Sequence, residues 1–401
     1  MKTAARVGRP RALLVGAVAG VALAGAGVAV VVKTRDTTPT VAVRPTIPPT
    51  TPPTLTAATA SSSTTTAAPV AIRRRGLAGT VSLIAGDGTD GGLGLPGPAD
   101  KVSLGSSPRF ALAPNGDVFV MNRYNQLLLV HDGQARILHA AGKTAAFNET
   151  AYGDVALGSD GAAYVTTSGG VERFAADGTP TSVFDRAKAN AGLPTAITFD
   201  GQGGMYLFDS GNYTVVRVGP GGALTRVAGT GALRSSASSA SESGPAIGVA
   251  LGSVEAMLID TAGNLLIADN GARVIRRVAT DGTITTIAGG GAVKAANDSG
   301  STFAPDGSKA TALSFAATTG LAIDAKGRVY VADAQAHAIY RFATDGAMEL
   351  VIADQTELVD QYGLAANQTR ARNVSDLAID STNGLMFIQN GTIRRIAGAG
   401  A

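Results

Sequence analysis

Gly320–Gly346 reads GLAIDAKGRVYVADAQAHAIYRFATDG. A short apolar run ends at Ile323-Asp324 and turns at Lys326-Gly327. A second run, Val329 to Ala332, ends at Asp333. A third, Ile339 to Phe342, leads into the turn Asp345-Gly346. Runs of four or five apolar residues punctuated by Asp/Asn-Gly turns are antiparallel hairpin signals. The same phrase stands upstream at Ala256–Ile284, AMLIDTAGNLLIADNGARVIRRVATDGTI. A repeat decides the architecture before any single residue can be read.

From Gly79 onward the phrase occurs in six copies, beginning near Arg109, Tyr152, Thr195, Ala256, Gly320 and Ser375. The sixth copy has three strands, ending at Ile396. Its missing fourth strand is spelled at the other end, where Gly79–Gly88 (GTVSLIAGDG) matches Gly282–Gly290 of the fourth copy (GTITTIAGG). An N-terminal strand that completes the last copy closes a ring, and closure removes the exposed edges that otherwise template aggregation. The expected fold is all-β: a six-bladed β-propeller over residues 79–401, with Val81–Ala85 beside Thr392–Ile396. Leu265–Ala268 and Val329–Ala332 are apolar at consecutive positions, as a strand packed on both faces requires.

The pattern GLAID-x-x-G-x-[VL]-[YL]-[VI]-AD followed by [IV]-x-[RK]-[FV] resembles the NHL repeat, most strongly from Val254 to Asp345. The segment TIAG-G, followed by a Gly-Pro-Ala stretch, is similar to the propeller repeats of teneurin-like and bacterial secreted NHL proteins. The signature tripeptide is approached only at Asn125-Gln126-Leu127. The resemblance implies a propeller that binds on its loop-rich face, as in sensor ectodomains of receptor-type bacterial kinases. Some relatives of this class are lyases that rely on histidines at the channel or top.

Ahead of the repeats, Met1–Arg11 is basic, and Leu13–Val32 is a run of twenty uncharged residues rich in Ala, Val, Leu and Gly. About 20 apolar residues span a bilayer, whereas a signal-peptide core is about 7–15. The expected order is a cytoplasmic tail (1–12), a transmembrane helix (13–32), a disordered Thr/Pro/Ser-rich stalk (33–78) and the propeller. The positive-inside rule sets the N-terminus in the cytoplasm and the propeller outside the cell. Secretion after signal cleavage is the alternative. Such a stalk buries too little apolar surface to fold and is a candidate for O-glycosylation.

The net charge of +3 is misleading as a whole-chain number. Residues 1–70 hold seven Lys/Arg and one acid, so the remainder holds 26 basic residues (33 less 7) against 29 acidic ones (30 less 1). A nucleic-acid partner wants a basic face, and the propeller has no basic excess. The absence of cysteine excludes disulfides, thiolate metal sites and a Cys nucleophile. The three histidines, His131, His139 and His337, have no metal-ligand spacing. No cofactor or metal is called for; Ca²⁺ is the one cation considered, and no ligand loop supports it.

Long linkers separate the blades at Asp87–Leu104, Thr230–Leu251, Gly290–Leu313 and Asp354–Arg372. Two carry a matching stretch, Gly97-Pro98-Ala99 and Gly244-Pro245-Ala246. They emerge on one face with the turns after the second strands, and insertions gathered on one face mark a binding face. Asp200, Asp260, Asp324 and Asp380 end first strands and read as turn caps. Asp209, Asp269 and Asp333 end second strands and form an acidic arc, with Asn122 and Gln389 at the same position in other blades. The arc is read as a cation or basic-peptide site, or as turn capping. Arg123, Tyr124 and Tyr213 lie in the same turns, where Arg and aromatic residues serve as interface anchors. The first strands, around Ala111, Val155, Ile197, Leu258, Ile323 and Ile379, are small or apolar except at Glu255 and Asp376, which offers little to a channel enzyme. The function expected is therefore a non-catalytic, membrane-tethered module that binds a protein, peptide or wall glycan. A channel lyase or lactonase and a structural spacer are the alternatives.

Overall fold

Each repeat folds into a sheet of four antiparallel strands, six in all. Blade one is Arg109–Leu112, Val118–Met121, Gln126–His131 and Gln134–Ala140, and blades two to five follow the same order. Blade six takes Val374–Ile379, Leu385–Gln389 and Thr392–Ile396 from the C-terminal end. Its outermost strand is Val81–Ala85, whose register runs Val81 to Ile396, Ser82 to Arg395 and Leu83 to Arg394. First strands touch in sequence around the ring, and Val374–Ile379 also touches Arg109–Leu112, so blade six meets blade one.

The computed structural model describes residues 79–90, 96–122, 124–140, 153–234, 242–294, 306–343, 345–354 and 360–399. Of the two units into which the chain divides, Met1–Pro69 and Val70–Ala401, the described residues all belong to the second. The expected tail, membrane span and stalk lie outside them, as does Arg123. Among the described residues no helix is long and apolar enough to cross a membrane.

The core is distributed, not central. Six apolar clusters fill the six wedges between neighbouring blades. Leu265–Asp269 and Val329–Asp333 are buried at every residue, because a neighbouring blade covers each face. Side chains such as Ile267, Val331 and Phe387, all fully buried, each contribute about 1.5–3 kcal/mol of hydrophobic stabilisation.

Asp200, Asp260, Asp324 and Asp380 share one hydrogen-bond pattern at the turn after the first strand. Each accepts the backbone N–H two and four residues on, as Asp260 Oδ1 does from Ala262 at 2.9 Å and Asn264 at 2.8 Å. Linker segments do more than emerge on one face. Gly97–Pro98 pairs with the outer strand of blade one, and Gly244–Pro245 with that of blade four. Single bridges, Lys309 to Ala347 and Thr80 to Ala365, do the same for blades five and six. These stretches cover outer edges, which is why two linkers repeat the same Gly-Pro-Ala.

Candidate binding site

The first strands carry an irregularity that periodicity conceals. In four blades their pairing register slips near the strand start: between Pro194 and Ala196, Val254 and Ala256, Thr318 and Gly320, and, one position later, Ser375 and Leu377. The extra residues are Thr195, Glu255, Thr319 and Asp376. A bulge re-aims side chains and is favoured beside functional sites. Asp376 also has φ of 39°, a left-handed conformation that strains most non-glycine residues.

Arg109, at the start of blade one, reaches across the axis to the far side of the ring. Its Nη1 donates to the backbone oxygens of Glu255 (3.4 Å) and Thr319 (3.3 Å), in blades four and five. Its Nη2 donates to Glu255 Oε2 at 3.1 Å. The pair forms a bar over the channel with a cavity on either side. On the linker face lies a vestibule of about 580 Å³, lined by Thr89, Asp90, Ser107, Asn373, Ser375 and Asn390 among others. On the other side the channel proper encloses about 350 Å³, and Asp154 and Asp376 line it. Arg109 and Glu255 line both.

The two channel carboxylates are bound to backbone. Asp154 Oδ2 accepts the Ile197 N–H at 3.0 Å and Oδ1 that of Val155 at 3.0 Å. Asp376 Oδ2 accepts the Phe110 N–H at 2.7 Å, joining blades six and one. Burial pushes the Asp154 carboxyl up to about 7; Arg109 pulls it down and Asp376 pushes it further up. Burial likewise raises Asp376, against the pull of Arg109. Burial disfavours the Arg109 charge, but Asp376, Asp154 and Glu255 together outweigh it and hold the guanidinium pKa above its ordinary value.

The first strands are therefore not small and apolar apart from Glu255 and Asp376: Arg109 and Asp154 join them. The signal was present: Arg109, Asp154 and Asp376 all stand three residues before the end of the first strand, where the other copies have Ala196, Ala256 and Gly320.

The arc residues do not converge on a surface. Asp209, Asp269 and Asp333 turn inward, 4%, 0% and 0% exposed. Asp209 accepts the Gly192, Gly211 and Asn212 N–H groups, Asp269 those of Gly252 and Ala272, and Asp333 those of Ala316, Ala317 and Ala336. Each clamps the incoming linker to its own blade. Asp269 also pairs with Arg276 Nε at 3.0 Å, both side chains wholly buried. Asn122 caps its own turn through Tyr124 N–H and Gln126 N–H. Gln389 donates to Asp360 Oδ2 and to the Arg370 carbonyl. Tyr213, at φ 49°, packs on the apolar wedge between blades three and four. Among the described candidates Tyr124 adjoins the vestibule: its hydroxyl donates to the Asp90 carbonyl at 2.8 Å.

None of the three histidines lines either cavity. His131 pairs with Asp117 on an exposed turn, His139 packs on Phe174, and His337 Nδ1 accepts the Asn373 N–H. No group of three His, Cys, Asp or Glu able to hold a metal occurs among the described residues.

Residues 227–342 match the family model of the teneurin NHL domain. A search of curated proteins found no match. Among solved structures, the chain is similar to a structural genomics protein of unknown function from Bacteroides thetaiotaomicron VPI-5482. That likeness has 19% identity and a TM-score of 0.60, covering 79% of this chain and 75% of that one. It is also similar to an auxiliary nutrient binding protein from Bacteroides ovatus ATCC 8483, with 15% identity, a TM-score of 0.58 and coverage of 80% and 77%. Its counterpart from Bacteroides thetaiotaomicron VPI-5482 has 13% identity, a TM-score of 0.56 and coverage of 79% and 76%. At these identities the likeness is one of fold.

Proposed function

We propose, from the premise that this chain is an NHL-repeat β-propeller, that it is a non-catalytic binding module held outside the cell by its N-terminal helix. Its ligand is a protein, peptide or wall glycan, and it docks on the linker face at the vestibule. The carrying observation is the vestibule itself: a cavity of about 580 Å³ with several polar side chains in its walls, floored by the Arg109–Glu255 bar. Small-ligand sites are concave, of about 300–1,000 Å³, with a few fixed polar groups. Two propellers of similar fold are described as auxiliary nutrient binding proteins, which is compatible with a binding role but carries no ligand across. The near-neutral propeller and the anchor-like Leu13–Val32 support placement on the outer membrane face of the cell and no nucleic-acid partner.

The test is capture of partners by the intact chain, with Ca²⁺ and with chelator, followed by the same capture on Ser107→Trp, which fills the vestibule. Loss of a specific partner on that substitution supports the reading. A partner retained by Ser107→Trp and mapped to another face overturns it.

A second reading has one observation behind it. Asp154, with its carboxyl at about 7, is poised for proton transfer near neutral pH, as a channel lyase or lactonase requires. Against that, its oxygens are engaged by Ile197 and Val155 N–H groups, and it lies beyond the Arg109 bar from the vestibule. Turnover abolished by Asp154→Asn would favour the enzyme over the binding module.

A further inference from the structure

We infer that the vestibule ligand is a neutral saccharide terminus, read end-on by the Arg109–Glu255 bar; this rests on the vestibule reading above. The bar is charge-balanced yet not fully hydrogen-bonded. Arg109 has five N–H donors, and its bonds to Glu255 O, Thr319 O and Glu255 Oε2 use three. Among the described residues Glu255 Oε1 accepts no hydrogen bond. The Arg109 and Glu255 side chains are 24% and 32% exposed, so both reach the cavity. Adjacent hydroxyls fit this arrangement: one accepts from the guanidinium while its neighbour donates to the carboxylate. Ionic ligands fit less well. A carboxylate meets Glu255 and Asp90, and an amine at the bar meets Arg109, whose charge Glu255 already balances.

The walls agree with the floor. Hydroxyls and amides of Thr89, Ser107, Asn373, Ser375 and Asn390 line the cavity, and its apolar side chains are small, Pro108 and Ala334 among them. A peptide partner wants a pocket for a large apolar or aromatic anchor, and this lining offers none. The bar also closes the axis, so a chain of sugars enters by one end and stops. Affinity then depends on the terminal units and not on length.

The experiment is calorimetric titration of the intact chain with neutral oligosaccharides of three and six units (maltotriose, maltohexaose, chitotriose, chitohexaose) and with uncharged and charged hexapeptides. At least one saccharide series is expected to bind, with trimer and hexamer affinities within about threefold. Glu255→Gln and Arg109→Lys are each expected to weaken it at least about tenfold, because a site built to hydrogen-bond a hydroxyl loses heavily when a partner changes. Asp380→Asn, on the opposite face, is the control and leaves binding unchanged, and a thermal melt shows that each variant is folded. Binding that rises steeply from trimer to hexamer, or that is indifferent to both bar substitutions, overturns the inference. Failure of every saccharide also overturns it. If a peptide binds instead and Ser107→Trp abolishes it, the vestibule reading survives without the saccharide; if a captured partner ignores Ser107→Trp, the vestibule reading itself falls.

Discussion

Carboxylates occupy two regions of this ring and behave differently in each. At the ends of the second strands Asp209, Asp269 and Asp333 recur in register and spend their oxygens on backbone N–H groups of the arriving linkers. Around the axis the residue type changes from blade to blade: Asp154 and Asp376 stand where Ala196, Ala256 and Gly320 stand elsewhere, Glu255 sits on a bulge, and all three acids face a cavity shared with Arg109. What repeats in this protein builds it. What breaks the repeat marks the place where a ligand can be read.

The contrast is broken most forcefully at the rim. Asp269→Ala strands the Arg276 guanidinium in a site with no exposure, and an uncompensated buried charge costs about 3–5 kcal/mol. Chemical denaturation is expected to show that loss, and a change under 1 kcal/mol would mean the arc is not architectural.

At the axis the expected signature is pH-dependent. The folded Asp154 carboxyl sits at about 7, raised from 3.8, so the fold favours its protonated form. That contribution is complete below 3.8, drains away as pH rises toward 7, and is gone above it. The groups facing it are Arg109, Asp376 and Glu255. Asp154→Asn is therefore expected to raise the melting temperature at pH 8 relative to wild type by several degrees more than at pH 5. Equal shifts at both pH values would remove the buried-proton account.

Gly320 sharpens the link between bulge and channel. A methyl group there would lie 2.7 Å from the Asp376 backbone nitrogen and 2.9 Å from its Cα. Overpacking against backbone costs about 1–3 kcal/mol, so Gly320→Ala is expected to destabilise by that amount and to weaken vestibule binding with it. Stability lost with affinity kept would uncouple the two.

The smallest effect is at a repeated turn. Burial opposes the charge of Asp380, but the Arg395 guanidinium and the Gly384 and Thr382 N–H groups prevail and hold its carboxyl at about 2. Its contribution is present above 3.8 and lost as pH falls toward 2. Asp380→Asn is expected to cost about 1 kcal/mol at pH 7, and the gap should close near pH 2 in acid unfolding.

The blades were legible because their grammar is local. A run such as Val329–Ala332 followed by Asp333 declares a doubly covered strand and its cap within five residues. The match of Gly79–Gly88 to Gly282–Gly290 extended that reading to the outermost strand of blade six. The candidate site was less legible for a physical reason. Side-chain direction in a strand follows alternation, and one extra residue at Glu255 or Asp376 reverses it without leaving a mark in composition. Arg109 was harder still, since its partners lie 146 and 210 positions away. Tyr124, which shares a turn with Asn122, adjoins the vestibule through the Asp90 carbonyl.

The outermost strand of blade six has a consequence for synthesis. Ser82 meets Arg395 across 313 positions of chain, so all of the intervening chain must be made before that partner exists. Until then the first strand of the ring to be made is an unpaired edge waiting on the last. Any helper that shields Val81–Ala85 in that interval would thus guard the edge that waits longest for its partner.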